Sequence, residues 1–263
     1  MGVLNVTPDS FSGDGVFRDH HRAIRRGLDL VQQGATWVDV GGESTRPGAE
    51  AVSVDEELER VIPVVDGLAR EGIWVSVDTQ KPEVARQAVE AGAKLINDVG
   101  GLREPAMMAL AKEGKAQVAI MHMRGNPATM QVSPTYQDVV AEVTSFLLGQ
   151  ARETGLPKES IWLDPGIGFG KTLDHNLQLL RSIPSLAAEG YPVLIGVSRK
   201  SFLSKLLAAE GEKLSDGDRE LATRIVEVKS WNLGAAMIRT HNVADCLLAL
   251  RAAKPFASSN YPG

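Results

Sequence analysis

The chain has 263 residues, 43% hydrophobic and 23% charged, with a net charge of −5; this argues against a basic surface dedicated to nucleic acid, so no nucleic-acid partner is expected. No apolar run approaches the ~20 residues of a membrane span, so no membrane partner is expected. Cys246 is the only cysteine, which rules out an intramolecular disulfide, favours a reducing cytoplasm and reads as a small buried apolar residue.

Along the chain, short β-branched runs alternate with helical patterns eight times. GVLNV (2–6) precedes a helix at 20–33, TWVDV (36–40) one at 55–71, and IWVSV (73–77) one at 82–91. KLIND (94–98) leads into 104–113, AQVAIM (116–121) into 136–154, and SIWLD (160–164) into 173–188. PVLIGV (192–197) runs into a helix opening at Lys200, and AAMIR (235–239) into 243–253. Gly34, Gly72, Gly92, Gly114, Gly155, Gly190 and Gly234 stand where those helices should stop. Eight units in a chain near the typical ~250 residues predict a single-domain α/β (β/α)₈ TIM barrel over 1–254 with a frayed tail at 255–263; an open doubly wound sheet is the alternative architecture. The stretches 12–16, 41–48 and 124–135 are expected as loops at the barrel mouth, and 210–220 as an exposed loop.

The candidate strands end on polar residues, as a barrel needs where its loops build a site. Arg239 and His241 lie two apart, so both side chains share one face and form a candidate anion clamp. Ser198, Arg199, Lys200 and Ser201 follow strand seven, where backbone N–H groups, hydroxyls and two cations converge; Arg199 can equally turn to solvent. Asp78, Asn97 and Asp164 end three other strands, and carboxylates with an amide match a flat heterocycle bearing a row of N–H donors. Asp39 and Asp98 read as structural. Asn5 ends strand one and can offer an oxygen to Mg²⁺, which usually keeps several waters and binds through substrate phosphates. Thr45 and Arg46 sit on a glycine-rich loop suited to contacting a diphosphate or second substrate after closure. Met121, Met123, Phe169 and Val99 read as apolar walls or plain core, with His122 facing away from the two methionines.

Taken in order, NVTPDSFS, GGESTRPG, SVDT, INDV, MHM with GNPATMQ, DPGIGFGK, SRKS and RTH cover nearly the whole chain, and this series resembles the dihydropteroate synthase family of pterin-binding enzymes. The resemblance implies a transferase of folate synthesis that condenses 6-hydroxymethyl-7,8-dihydropterin pyrophosphate with para-aminobenzoate, releasing pyrophosphate. It implies Mg²⁺ at Asn5, a homodimer, and sulfonamides as inhibitors. By position, Asp78, Asn97, Asp164 and Lys200 would hold the pterin, with Met121 and Phe169 as its walls. Asn5, Thr45, Arg46, Arg239 and His241 would hold the diphosphate. Phe11, Pro47, Phe169, Lys200 and Ser201 would frame the aminobenzoate, and Asp78, Lys200, Arg239 and His241 would be the catalytic set.

The chain departs from the family pattern in three places. Residues 12–15 read SGDG rather than SDGG, which moves Asp14 one step; RTHN replaces RVHD; and RELATRIVEVKSWNLGA (219–235) is more polar than the usual alanine-rich helix. A catalytically silent pterin-binding paralogue and a pterin-dependent methyltransferase are the rival readings. The latter has no need of SRKS, RTH and STRPG together, and turnover with both substrates separates the former.

Overall fold

The computed structural model describes residues 1–7, 20–44, 52–125, 130, 134–207 and 215–256. The strands are β1 (Gly2–Asn5), β2 (Trp37–Gly41), β3 (Trp74–Asp78), β4 (Leu95–Asp98), β5 (Gln117–Met121), β6 (Ile161–Asp164), β7 (Leu194–Gly196) and β8 (Met237–Arg239). β1 to β6 pair in chain order, every pair parallel, and β7 pairs in parallel with β8. Two single bridges join these groups into a ring: Leu163 of β6 with Val193, and Gly2 of β1 with Thr240. The expected barrel is therefore closed, but its seams are thin. One carries a bond from Leu163 N to Pro192 O at 2.9 Å; the other carries bonds from Val3 N to Thr240 O and from Thr240 N to Met1 O, each 3.0 Å.

Ten α-helices appear among the described residues: α1 (His20–Gln32), α2 (Val54–Arg70), α3 (Pro82–Glu90), α4 (Pro105–Lys112), α5 (Val139–Thr154), α6 (Leu173–Arg181), α7 (Ile183–Ala187), α8 (Phe202–Leu207), α9 (Asp216–Asn232) and α10 (Val243–Ala253). Their starts follow local chemistry. Ser53, Asp138, Thr172, Ser215 and Asn242 accept hydrogen bonds from first-turn N–H groups, and Pro82 and Pro105 open α3 and α4, where no N–H is needed. All seven glycines expected at helix ends have φ between 67° and 110°, the left-handed region that ends a helix without a Cβ penalty. Among the described residues no helix is long and apolar enough to cross a membrane.

Several boundaries differ from expectation. The single helix at 173–188 is two, because Pro184 has no N–H with which to continue the α6 ladder. The polar stretch 210–220 is not all loop. Ser215 Oγ accepts from Asp218 N at 3.1 Å and Asp218 Oδ2 accepts from Ser215 N at 3.0 Å, so its polarity is a capping box that starts α9. The helix placed at Lys200 opens instead at Phe202, after a turn, while Lys254–Phe256 forms a 3₁₀ turn where the tail was expected to fray.

Period-two alternation sorts every strand. Leu4, Val38, Val40, Val75, Val77, Ile96, Val118, Ile120, Ile161, Leu163, Ile195 and Ile238 pack outward under the helices in the main core. Trp37, Leu95, Ala119, Leu194 and Met237 fill the barrel floor with Met1. One step further along the inward phase come the polar residues. Register aligns Asn5 with Gly41, Gly41 with Asp78, and Asp78 with Asn97, and across the barrel it aligns Met121 with Asp164 and Gly196 with Arg239. Because a single bridge protects less backbone than a full ladder, the Leu163, Val3 and Thr240 amides are expected to exchange with deuterium well before those of Val38, Val75, Ile96 and Val118 in native-state exchange. Uniform protection round the ring would show the seams to be as strong as the six-stranded wall.

Candidate functional site

Arg239 organises the barrel mouth. Its Nε donates to Asp39 Oδ2 at 2.6 Å and its Nη2 to Asp78 Oδ2 at 2.7 Å. Asp39 is wholly buried, and its Oδ2 also accepts from Asn97 Nδ2 at 3.1 Å. That bond commits the Asn97 amide nitrogen and leaves its carbonyl oxygen to accept from a ligand. Burial works against the charge of Arg239, but Asp39 and Asp78 outweigh it and hold the guanidinium above its ordinary pKa. Burial also raises the Asp78 carboxyl above its ordinary value, with Arg239 opposing. Asn5 closes this side: a Cβ at Gly41 would stand 3.7 Å from Asp78 Oδ2 and 3.8 Å from Asn5 Oδ1, so the missing side chain opens the space those oxygens share.

On the opposite wall, Asp164 ends β6 and is raised by burial, with Lys200 as the main opposing charge. Asp164 Oδ1 accepts from Gly166 N at 2.7 Å. Lys200 Nζ donates to Ile167 O and stands 4.4 Å from the centre of the Phe169 ring, a cation–π contact. Burial lowers Lys200 to about 8. Cβ positions built at Gly196 would lie 3.7 Å from Arg239 Cβ and 4.0 Å from Lys200 Nζ, so the two cations flank β7. Val99, Met121 and Met123 form an apolar cluster with Met130, packed against Phe169.

The loop after β6 is held by a lysine that the sequence did not single out. Lys171 Nζ donates to the carbonyls of His122 at 3.1 Å, Gly166 at 2.9 Å and Phe169 at 2.9 Å, and meets His122 Nδ1 at 3.2 Å. Burial lowers it to about 7. Gly166 has φ 68°, and a Cβ there would fall 1.9 Å from the His122 carbonyl oxygen. A glycine-rich turn exposes carbonyls with no strand to pair them, and Lys171, at the end of DPGIGFGK, was the available signal. His122 faces away from the methionines, as expected, and packs edge-on against Phe146 at 5.2 Å.

The remaining expectations divide. His241 Nδ1 lies 3.0 Å from Ser198 Oγ, so the turns after β7 and β8 meet. Arg199 does not join Lys200: its Nε donates to Glu220 Oε1 on α9 at 3.0 Å, and the side chain is largely exposed. The expected convergence of two cations on this turn is thus one cation, because the φ of 61° at Arg199 turns successive side chains apart. Ser201 is exposed beside this turn. Asp98, on the outward phase, accepts from Gly100 N and Leu102 N, each at 2.7 Å, and holds the turn after β4. Phe11, Asp14, Thr45, Arg46 and Pro47 lie outside the described residues. Among the described residues no group of three or more His, Cys, Asp or Glu is placed to hold a metal, and Asn5 offers a neutral oxygen.

A barrel with carboxylates, an amide and two cations converging on its mouth is suited to a small anionic heterocycle. Residues 1–241 match the family model described as pterin binding enzyme. The chain is 46% identical over 256 residues to the dihydropteroate synthase of Escherichia coli strain K12, covering 95% of this chain and 89% of that one. Among solved structures it is similar to a Yersinia pestis dihydropteroate synthase with a sulfonamide drug complex, at a TM-score of 0.88 and 40% identity over 97% of this chain and 93% of that one. It is similar also to the Xanthomonas albilineans enzyme in complex with 7,8-dihydropteroate, at a TM-score of 0.85 and 39% identity over 100% and 94% of the two chains. The chain belongs to the pterin-binding enzyme family and, within it, to the dihydropteroate synthases.

Burial first, then Lys171 and Arg103, lower His122 from 6.5 to about 3. The unfolded chain therefore takes up this proton before the folded one, and the stability His122 contributes is lost as pH falls from 6.5 towards 3. His122→Asn keeps an acceptor for Lys171 and removes the titration. In urea titrations the stability difference between wild type and variant should shrink over that window, by at most about 1.4 kcal/mol per pH unit. A difference independent of pH would show that His122 is protonated in the fold.

Proposed function

We infer that the chain catalyses the condensation of 6-hydroxymethyl-7,8-dihydropterin pyrophosphate with para-aminobenzoate to give 7,8-dihydropteroate and pyrophosphate. The observation that carries this reading is the placement of Asp78, Asn97 and Asp164 on one inward layer, with Lys200 and Arg239 on either side of Gly196. Asp78 and Asp164 accept from the pterin edge, Asn97 accepts there through its carbonyl oxygen, Lys200 donates to it, and Met121 and Phe169 form its apolar sides. Arg239 and His241, with Thr45, Arg46 and Asn5, receive the diphosphate. Phe11, Pro47, Phe169, Lys200 and Ser201 frame the aminobenzoate.

The chemistry needs no covalent nucleophile. Loss of pyrophosphate breaks the bond between the pterin methylene and oxygen, and the charge growing on that oxygen falls to Arg239 and His241. The dihydropterin cation left behind is delocalised, and the Asp78 carboxylate stabilises it. The neutral arylamine then attacks the methylene and releases a proton. Asn5 suits Mg²⁺, which keeps most of its shell as water and substrate phosphate and would supply charge neutralisation on the leaving group. A homodimer fits the surface, since Leu221 and Ile225 of α9 and Leu248 of α10 are each more than 60% exposed on helices that pack together, and the single cysteine accords with a reducing cytoplasm.

Pyrophosphate release assayed with and without para-aminobenzoate, with the product identified by mass, tests the reaction; ligand binding without turnover would favour the silent paralogue. His241→Ala should weaken calorimetric binding of the dihydropterin pyrophosphate by about tenfold while sparing the unphosphorylated pterin. Equal loss for both would remove His241 from the diphosphate. Sulfonamides should inhibit competitively with para-aminobenzoate in steady-state assays; normal turnover with no inhibition would show that the altered 12–15 loop reshapes that pocket.

A further inference from the structure

Arg224 of α9 has no part in the reading above, yet its side chain is 11% exposed and turned against the end of β8. Its Nη1 donates to Asn242 O at 2.8 Å and its Nη2 to Thr240 Oγ1 at 3.2 Å. It therefore grips both chain neighbours of His241. The same guanidinium stands 2.9 Å from Oε2 of the wholly buried Glu227 and 3.6 Å from Oε2 of Glu220. Glu220 accepts from Arg199 through its other oxygen, and Arg199 holds a left-handed backbone between Ser198 and Lys200. One residue of α9 is thus tied to the turn bearing His241 directly, and to the turn bearing Ser198 through Glu220 and Arg199.

This network is poorly suited to stability alone. Arg224 Nε is buried without a hydrogen-bond partner, and a buried ion pair with an unmet group is often no better than apolar packing of the same volume. What it does supply is orientation. Thr240 faces outward to α9, and its neighbour His241 faces Ser198.

We propose that Arg224 is a positioning residue that fixes His241 against Ser198 in the orientation that receives the substrate's diphosphate. The proposal rests on the assignment of His241 to that group.

The test uses the full chain and calorimetry with two ligands, dihydropterin pyrophosphate and the unphosphorylated hydroxymethyl dihydropterin. Arg224→Met should weaken the diphosphate ligand by about tenfold and leave the other within about twofold. In a His241→Ala background the same substitution should cost nothing further, since its effect runs through His241. Equal loss for both ligands, no loss, or a loss undiminished by His241→Ala overturns the proposal. If Arg224→Met does not fold, Arg224→Lys decides: it keeps the charge that Glu227 and Glu220 face but loses the two-armed grip on Asn242 and Thr240, and should give a selective loss of about threefold; no selective loss overturns the proposal. A His241→Ala single variant that binds both ligands like wild type overturns the diphosphate assignment instead, and this inference with it.

Discussion

The guanidinium of Arg239 between Asp39 and Asp78 is the contact on which the site depends. A charged side chain reaches the inside of a barrel only if opposite charge meets it there, because removing either partner strands the other in a poorly solvated space. Here Asp39 does two things at once: it neutralises Arg239 from below and orients the Asn97 amide. Arg239 and Asn97 therefore share one anchoring carboxylate, and neither can be repositioned without disturbing the other.

The opposite wall is built on different physics. The turn after β6 depends on glycines that bring backbone against backbone, and those close approaches leave carbonyls aimed inward that Lys171 gathers into one ammonium. Lys200 uses the same loop differently, resting over Phe169 and donating to Ile167. Burial leaves both lysines readier to lose a proton than a surface lysine, Lys171 as part of the scaffold and Lys200 at the site.

Much of this was legible in the chain. Eight strand and helix units, the glycine stops and the inward polar row follow from periodicity two and from turn chemistry. The phase of one strand even separates Asn97, inside, from its neighbour Asp98, outside. What was not legible involves partners distant in sequence. Asp39 read as merely structural because its partner lies 200 residues away. The direction of Arg199 depends on α9, whose polar first turn resembles a loop in sequence. Thr240 and the polar face of α9 look like separate departures from the family pattern, yet Arg224 joins them through Thr240 Oγ1, while the Asn242 side chain caps α10.

The thin seams give the ring a mechanical character. β7 and β8 form a two-stranded leaf set into a six-stranded wall by single bridges, and this leaf carries Arg239, with Ser198, Lys200 and His241 just beyond its strands. Arg239 reaches from the leaf to carboxylates on β2 and β3, so it acts as a diagonal staple across the interior. An anion that draws the guanidinium towards itself competes with that staple, and the interior link between leaf and wall then passes to the backbone seams and the apolar floor.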